Sequence, residues 1–385
     1  MSAVETLEPE TAAEAGTLRP LTDLKPPLIF EELQHGVLGQ DRALRFVAVA
    51  IYKHITGKVA GNLLMIGNSG TGKTTIMNNI QRLYNELPEL EPFRAVTVIN
   101  ANLLVDVDRM EFRPDRLLKA VEQRARAIAG HQPSPEALKK AIERATLCID
   151  EIDKMAAVVA GKPNAIGVVL QQGLLTLMEG ERVALPVHAW VDGVEKDVMI
   201  DIDTGRMMFI CGGAFEGLYD QVYNRVLKPG SGEKLKTHTI RTAEGKVRME
   251  TRFALSDFLK PKDLFDFGMV PQFMARFAST VLLDDLTIAV LREILLKSYE
   301  SPFVRSRRFF DILGIDLEME DLAAALLAEA AAKDSRTGAR ALRPLVSDLL
   351  NPFEFDPETG SALEDLDGDR RRLRITADMA RRSLG

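Results

Sequence analysis

The chain contains little cysteine and no long apolar run. Only two of its 385 residues are cysteines, Cys148 and Cys211, and both lie in apolar, strand-like segments. Two thiols in such settings argue against a disulfide or metal framework and predict buried side chains in a reducing compartment. No run of about 18 apolar residues is long enough to cross a membrane, and no basic and then apolar segment resembles a secretion signal. The predicted location is cytoplasmic.

An excess of positive charge is also absent. Asp and Glu number 56 against 49 Lys and Arg, which gives a net charge of −7. This balance disfavours a general nucleic-acid-binding surface, although it leaves room for a local basic patch. The first 24 residues carry Glu among Ala, Thr and Pro and predict an acidic, disordered tail. The remaining chain is long enough for two domains with large cores.

A glycine-rich run follows a short apolar segment. Residues 67–74 fit the phosphate-loop pattern G-x-x-x-x-G-K-[ST], with a predicted strand before them and a predicted helix after them. Glycines let backbone N–H groups converge on phosphate oxygens at the N-terminus of the helix. Lys73 is predicted to bind the β- and γ-phosphates, and the Thr74 hydroxyl to bind Mg²⁺. A ligand-free glycine-rich turn is the alternative, and the matching flanks favour a nucleoside triphosphate site. Its predicted contact residues are Val37, Leu38, Asn68, Ser69, Gly70, Thr71, Gly72, Lys73, Thr74 and Thr75, of which the first two rest on the resemblance described below.

Two carboxylates follow a second apolar run. Asp150 and Glu151 come directly after residues 145–149, which are typical of a buried parallel strand. Ligands of open α/β sheets bind at the carboxyl ends of such strands. We expect Asp150 to bind Mg²⁺ through water and Glu151 to polarise the attacking water. An acidic turn at the start of a helix is the alternative, and the phosphate loop upstream favours hydrolysis.

Helix-like and strand-like segments alternate from residue 26. Helical periodicity predicts helices at 41–56, 73–87, 116–129, 135–144 and 165–179, and apolar runs predict strands at 63–66, 95–99, 145–149 and 207–211. The alternation predicts an α/β fold with a doubly wound parallel sheet. A hairpin-like insertion at 181–204 and a loop-rich, mobile one at 229–252 interrupt it. The predicted domains are a disordered tail (1–24), a large domain (25–285) and a smaller, mainly helical domain (286–385) with one strand candidate at 371–375.

Several short stretches together resemble one family. They include Val37-Leu38-Gly39-Gln40, Ile149-Asp150-Glu151-Ile152-Asp153-Lys154, Phe209-Ile210-Cys211-Gly212-Gly213, Gly268-Met269-Val270-Pro271-Gln272-Phe273-Met274-Ala275-Arg276 and Thr337-Gly338-Ala339-Arg340. Over residues 28–350 the chain resembles the AAA+ ATPases, and among them the ClpX (Clp/HslU-type) unfoldases. The resemblance implies a P-loop NTPase domain followed by a helical lid, with ATP and Mg²⁺ bound. It also implies a homohexameric ring that acts on a protein client.

The resemblance assigns four further residues. Val37 and Leu38 match the apolar positions that pack on adenine. Arg276 matches the arginine finger that reaches a neighbouring subunit's nucleotide, and Arg340 matches the sensor-2 arginine of the lid. Both arginines therefore join Glu151 and Lys73 in the predicted catalytic set. A surface salt bridge, which contributes little, is the alternative for either arginine. The sensor-1 position lies on strand 207–211 or just after it, without a clear polar candidate.

Other stretches depart from the family. The zinc-binding N-terminal module of ClpX needs four cysteines, which this chain lacks. Residues 108–113 replace the Gly-Tyr-Val-Gly pore loop, with Met110 and Phe112 as candidate gripping residues; a core position is the alternative for Phe112. Residues 185–196 lack the Arg-Lys-His entrance loop and offer only His188, Trp190 and Lys196. The 229–252 insertion lacks Ile-Gly-Phe, which argues against docking of the ClpP peptidase.

Two functions of different classes remain open at this level. The first is an ATP-driven motor that unfolds, threads or remodels a protein partner without ClpP. The second is a ring-forming ATPase scaffold or switch through which no polypeptide passes. The complete hydrolytic set and the bulky Met110 and Phe112 favour the motor, whereas the missing glycine-flanked tyrosine favours the switch. A nucleic-acid translocase is a distant third because of the acidic balance.

Overall fold

A computed structural model describes most of the chain. The described residues are 18–58, 61–159, 161–241, 247–333, 337–358, 363–366 and 370–385. Most of the predicted acidic tail, residues 1–17, lies outside them. Within the rest of that segment, Leu21–Asp23 form a 3-10 turn and Leu24 is buried. Within the described residues, no helix is both long and apolar enough to span a membrane.

The strands are numbered in chain order. They are β1 (Asn62–Ile66), β2 (Val96–Asn100), β3 (Val105–Asp106), β4 (Glu111–Phe112), β5 (Thr146–Asp150), β6 (Val158–Val159), β7 (Lys162–Pro163), β8 (Arg182–Val191), β9 (Val194–Asp203), β10 (Met208–Gly213), β11 (Lys236–Arg241), β12 (Val247–Arg252), β13 (Phe277–Leu282), β14 (Ile315–Met319), β15 (Leu363–Asp365) and β16 (Arg371–Ile375).

The helices are numbered in the same way. They are α1 (Pro26–Gln34), α2 (Asp41–Ile55), α3 (Lys73–Glu86), α4 (Pro114–Ala129), α5 (Pro135–Glu143), α6 (Ala165–Met178), α7 (Glu216–Leu227), α8 (Leu255–Phe258), α9 (Pro261–Phe267), α10 (Pro271–Met274), α11 (Ile288–Lys297), α12 (Pro302–Ile312), α13 (Asp321–Ala332), α14 (Leu342–Phe355) and α15 (Ala377–Ser383).

A five-stranded parallel sheet is the centre of the larger part of the chain. Its strand order is β13-β1-β10-β5-β2, and every neighbouring pair is parallel. The chain leaves β1 for β2 at one edge and later reaches β13 on the other side of β1. The carboxyl ends of β1 and its neighbours therefore form the edge where an open α/β sheet binds its ligand. The predicted α/β class and parallel sheet are confirmed.

Both faces of this sheet are covered, as the apolar character of its strands requires. Alternate residues of β5 enter opposite cores: Leu147 and Ile149 pack with α4 to α7, whereas Cys148 packs with α1 to α3. Cys211 of β10 lies in the first of these cores, so the two thiols are on opposite faces. Both cysteines are free and buried, and burial raises the pKa of Cys148 to about 12. The prediction of buried cysteine side chains is confirmed.

The residues after 286 form a separate apolar core. It contains side chains of α11 to α15 packed against a three-stranded sheet of order β14-β16-β15. β14 and β16 are parallel, and β15 and β16 are antiparallel. The sequence predicted only β16, so this region has more strand than expected. A domain division near residue 285 stays a prediction, which the separate core supports.

The two insertions differ in how well they match their predictions. β8 and β9 pair over ten residues each, so the predicted hairpin at 181–204 is confirmed. The segment at 229–252 was expected to be loop-rich, yet β11 and β12 form an antiparallel hairpin within it. That expectation is wrong. It was based on the glycines and charges of the segment, whereas the alternating Thr, Ile, Val and Met residues favour a two-stranded ribbon.

Candidate nucleotide site

The phosphate loop connects β1 to α3 at the carboxyl edge of the sheet. Gly70 and Gly72 have φ of +72° and +108°, a backbone conformation that favours glycine. Gly72 caps the N-terminus of α3, where unpaired N–H groups and the helix dipole favour an anion. The Nζ of Lys73 donates to the carbonyl oxygens of Gly67 at 2.6 Å and of Asn68 at 2.8 Å. The cation is thus positioned inside the concavity of the loop.

Burial changes the protonation of Lys73. Desolvation lowers its pKa to about 8, and the charge of Asp150 partly opposes this effect. Among the described residues, the ammonium has no carboxylate in direct contact, because both of its hydrogen bonds go to carbonyl oxygens. A bound triphosphate would supply the negative charge that favours the protonated form. The site is therefore suited to a polyanion.

Gln40 fixes the loop from outside, although no role was predicted for it. Its side chain is buried and its Nε2 donates to the carbonyl oxygens of Thr71 and Asp284, each at 2.9 Å. Its Oε1 accepts from the backbone N–H of Asp284 at 3.1 Å. One amide thus ties the phosphate loop to the segment after β13. The sequence signal that could have pointed to it is the family stretch Val37-Leu38-Gly39-Gln40, which Gln40 ends.

Thr74 and Asp150 come together as predicted for a metal site. The Thr74 Oγ1 donates to the Asp150 Oδ2 at 2.5 Å, although β10 lies between β1 and β5. Gly212 of β10 lies between them, and a Cβ there would be in ordinary contact with Asp150, at 3.5 Å, and 2.9 Å from the end of the Met77 side chain. The described residues contain no cluster of three or more His, Cys, Asp or Glu suited to a metal. Mg²⁺ needs none, because it takes one or two protein oxygens together with phosphates and water.

Glu151 occupies a strained position beside these groups. Its φ is +59°, which is uncommon for a residue with a side chain, and its N–H donates to the Asp150 Oδ1 at 2.8 Å. The Nδ2 of Asn100 donates to the Glu151 Oε2 at 2.5 Å. Asn100 was not predicted as a site residue, since it merely ends an apolar run. The parallel register, which pairs Asn100 with Asp150, brings it here.

The end of β10 offers no sensor-1 side chain. The strand ends in Gly212 and Gly213, both buried, and Ala214 follows. The carboxylate of Asp153, itself buried, accepts from the Ala214 N–H at 3.2 Å. Asp153 also contributes to the electrostatic field at Lys73. A polar side chain at this strand end therefore comes from the 3-10 turn Ile152–Met155.

Arg340 reaches the phosphate loop from the other core. Its Nη1 donates to the Ser69 Oγ at 2.5 Å, and the N–H of Ala339 donates to the Gly70 carbonyl oxygen at 3.1 Å. The approach is close, because a Cβ on Gly70 would lie 2.2 Å from the carbonyl oxygen of Thr337. The segment around Arg340 is thus in direct contact with the loop, where a sensor of the phosphates is expected.

Val37 and Leu38 lie where the segment before α2 meets α11. Val37 is buried and Leu38 is half-buried. The next residue, Gly39, has a φ of +75°, and a Cβ on it would lie 2.4 Å from Val290 of α11. The two predicted adenine contacts therefore precede a residue against which α11 packs.

Arg276 does not join the other predicted residues. It precedes β13 and so lies at the amino end of the sheet, whereas the phosphate loop follows the carboxyl end of the parallel neighbour β1. The length of β1 separates these two edges by roughly 15 Å. Its guanidinium forms an ion pair with Glu179. A role for Arg276 at the nucleotide of its own chain is excluded by this distance.

The two pore-loop candidates differ in exposure. Met110 has a φ of +53° at the turn of the β3–β4 hairpin and is 41% exposed. Phe112 is half-buried and packs against α6, so closely that a Cβ on Gly173 would lie 2.2 Å from its ring. The structure favours the alternative reading of Phe112 as a core aromatic, because its ring takes the space that Gly173 leaves. Met110 remains as the gripping candidate.

The fold and the site together define the class of the protein. A phosphate loop between a strand and a helix, with an Asp-Glu pair two strands away and an arginine from a separate core, is the arrangement of a P-loop nucleoside triphosphatase. The chain belongs to the AAA domain family (Cdc48 subfamily), whose model matches residues 58–280. It binds nucleotide and is an ATPase.

The similarity to individual relatives extends further along the chain. It is 28% identical over 376 residues to the ATP-dependent Clp protease ATP-binding subunit ClpX of Bacteroides thetaiotaomicron, covering 94% of this chain and 82% of that protein. The ClpX subunits of Porphyromonas gingivalis and Treponema denticola are 27% and 29% identical over 359 and 347 residues, which are 88% and 86% of this chain and 79% and 77% of those proteins. The chain is thus an AAA ATPase that is similar to ClpX along most of its length, and its two cysteines cannot form a four-cysteine zinc site.

Proposed function

We propose that the chain is a ring-forming, ATP-driven motor that unfolds, threads or remodels a protein partner, and that it does so without docking to ClpP. The observation that supports this proposal is that the predicted hydrolytic residues lie at opposite edges of the sheet. Lys73, Thr74, Asp150 and Glu151 lie at one edge of the sheet, and Arg276 lies at the other. If Arg276 takes part in hydrolysis, it acts at the nucleotide of a neighbouring subunit, as in a homohexamer; the alternative is that it serves only its surface ion pair with Glu179.

Each residue at the carboxyl edge of the sheet would have its own role in hydrolysis. Lys73 and the N–H groups of the loop would bind the phosphates and offset the charge that spreads over them in the transition state. Thr74 and Asp150 would hold Mg²⁺, which neutralises charge on the β- and γ-phosphates when bound. Glu151 would accept a hydrogen bond from the attacking water and orient it for in-line attack.

Arg276 and Arg340 would connect hydrolysis to motion. Arg276 would donate to the γ-phosphate in the next subunit, where such a finger contributes roughly 10³- to 10⁵-fold to the rate in related phosphoryl transfers. Arg340 would contact the same nucleotide from its own chain, replacing its bond to Ser69. Val37 and Leu38 would pack on the adenine ring. Loss of the γ-phosphate would therefore change contacts on both sides of the site.

Two exposed apolar turns support action on a polypeptide. Met110 projects from the β3–β4 turn, and Val158 and Val159 of β6 are 45% and 51% exposed. Both turns connect to α6: β4 packs on it, and β7 leads into it. Exposed apolar side chains on short hairpins are suited to gripping extended chain of varied sequence. The scaffold alternative gives these side chains no function.

The absence of Ile-Gly-Phe from the 229–252 insertion supports independence from ClpP. That insertion instead forms the β11–β12 hairpin.

The switch alternative predicts that nucleotide alters assembly while an unfolded protein has no effect on hydrolysis. The motor predicts that an unfolded protein stimulates hydrolysis.

The deciding experiment measures ATP hydrolysis with and without a reduced, carboxymethylated test protein. The motor requires stimulation, which should be lost in Met110→Ala while basal hydrolysis remains. Leu227→Ala removes a comparably exposed side chain (50%) at the end of α7 and should respond like the parent. Light scattering of Glu151→Gln with ATP should show a hexamer. A hexamer whose hydrolysis ignores the test protein would favour the switch.

A further inference from the structure

The finger candidate Arg276 is fixed by contacts at both its backbone and its side chain. The Asn62 Nδ2 donates to the Arg276 carbonyl oxygen at 3.1 Å, and the Asn62 Oδ1 accepts from the N–H of Phe209 at 3.3 Å. Asn62 thus connects the residue before β13 to β10 across β1. At the other end of Arg276, the guanidinium Nη2 donates to the Glu179 Oε1.

The backbone of Glu179 is fixed at the end of α6. It is the C-terminal cap of α6, and its N–H donates to the Leu175 carbonyl oxygen at 2.9 Å. The buried Gln171 fixes α6 to the segment that leads into Arg276. Its Nε2 donates to the carbonyl oxygens of Met155 at 2.6 Å and Gly268 at 3.1 Å, and its Oε1 accepts from the Val270 N–H at 2.7 Å. Glu179 and Arg276 therefore lie on two segments that are bonded together.

The ion pair leaves part of the guanidinium available. Arg276 is 43% exposed at the side chain, and its contact with Glu179 uses Nη2 alone. Its Nε and Nη1 donate to none of the residues that the structure describes. A guanidinium has five N–H donors in a planar fork, so one carboxylate contact is compatible with a second anion on another edge.

We propose that Glu179 is a positioning residue for Arg276, holding the guanidinium in place for the γ-phosphate of the neighbouring subunit. This inference rests on the proposed function, in which Arg276 acts in trans. A long, exposed arginine has many rotamers and loses that freedom when it engages a phosphate. A fixed carboxylate at the end of α6 removes part of that freedom before the nucleotide arrives, so more of the interaction is available to the transition state.

The same contacts place Arg276 under the influence of its own subunit. Gln171 bonds α6 to Met155, which ends the 3-10 turn directly after Glu151. α6 begins after the exposed β6–β7 turn and ends at Glu179. A displacement at either the catalytic carboxylate or the turn would therefore reach Arg276 through one helix. Glu179 is the residue through which that displacement would reach Arg276.

The test is a double-variant cycle on the assembled protein with ATP. Glu179→Gln removes the charge while it keeps the shape, and we expect kcat to fall roughly ten- to a hundredfold with KM changed by less than about twofold. Glu179→Asp keeps the charge at a shorter reach and should recover part of kcat. Glu181→Gln, an exposed carboxylate two residues further on, is the matched control and should be normal. Glu179→Gln combined with Arg276→Ala should be no slower than Arg276→Ala alone.

Mixed rings add a readout that a folding defect would not produce. Glu179→Gln subunits have intact pockets and misplaced fingers, and Glu151→Gln subunits have inactive pockets and intact fingers. Mixing the two variants should restore hydrolysis in the pockets of the Glu179→Gln subunits, because neighbouring Glu151→Gln subunits supply intact fingers. The inference would be wrong if Arg276→Ala is inactive but Glu179→Gln has a normal or raised kcat. It would also be wrong if the losses of the two variants add in the double variant. Full hydrolysis by Arg276→Ala would instead overturn the trans finger on which it rests.

Discussion

The side-chain amide of Asn100 donates a hydrogen bond to the carboxylate of Glu151, from the neighbouring strand of the sheet. The orientation of this amide is fixed by its other end, since the Asn100 Oδ1 accepts from the Asn102 N–H at 3.0 Å. Nδ2 is therefore the atom that faces Glu151. The contact links the proposed catalytic base to a residue that its own sequence context did not distinguish.

Asn100→Ala should lower kcat for ATP hydrolysis by roughly tenfold and leave the affinity for ADP unchanged, because it frees a carboxylate that must be held in one orientation. Steady-state hydrolysis and ADP titration give the two values. Asn102→Ala, which keeps the backbone N–H that Asn100 uses, is the control. A kcat above that of the parent would mean that Asn100 restrains Glu151 and does not orient it.

Nucleotide affinity should depend on pH through Lys73. Burial lowers the pKa of this ammonium to about 8, below its ordinary value of 10.5. The protonated form binds phosphate, so affinity is complete below the pKa of the free protein and is lost as pH rises above it. Linkage gives a decline that approaches about tenfold in the dissociation constant per pH unit. ADP titrations by calorimetry at a series of pH values would measure the decline.

Lys73→Arg is the matched variant for this dependence. Arginine keeps its charge over the whole accessible range, so the variant should bind ADP with an affinity that is independent of pH in the alkaline region, whatever its absolute value. An equal decline in both proteins would assign the pH dependence to another group.

The contact between Arg340 and the phosphate loop predicts a nucleotide-dependent role. Arg340→Ala should weaken ATP binding more than ADP binding, because the guanidinium is expected to leave Ser69 for the phosphates, and charged hydrogen bonds of this kind contribute about 1.5–3 kcal/mol. Fluorescent-nucleotide competition would measure both affinities. Arg343→Ala, an exposed arginine one turn away, is the control. Equal losses for ATP and ADP would contradict contact with the γ-phosphate.

Acid should destabilise the chain through His54. Its ring is buried, its Nε2 donates to the Arg144 carbonyl oxygen at 2.9 Å, and burial lowers its pKa from 6.5 to about 4. Between these values the unfolded chain binds the additional proton, so the free energy of unfolding falls as pH drops. The shift corresponds to a loss of about 3 kcal/mol by the lower limit.

Thermal melts of the parent and His54→Asn between these pH values would isolate this contribution. The variant should be less stable near neutral pH but should lose less stability on acidification. Parallel curves for the two proteins would exclude His54 as the source of the acid sensitivity.

Local sequence determined the nucleotide motifs and most of the elements that carry them. Residues 67–74 specify a loop because glycine alone suits φ near +72° and +108°, and Lys73 and Thr74 follow in fixed positions on the first turn of α3. Apolar runs specified four of the five parallel strands, including β5 with Asp150 at its end, whereas β13 was not predicted. These signals lie within a few residues of one another, so periodicity and backbone preference suffice to read them.

Tertiary structure alone decided which distant residues meet. Strand register brings Asn100 to Glu151, a buried amide joins Thr71 to Asp284, and chain direction in β13 sends Arg276 to the edge away from the phosphate loop. From the sequence Phe112 was a candidate pore residue with a core position as the alternative, and the space that Gly173 leaves favours the core. Such pairings depend on the packing of segments far apart along the chain, whose energies no local pattern contains.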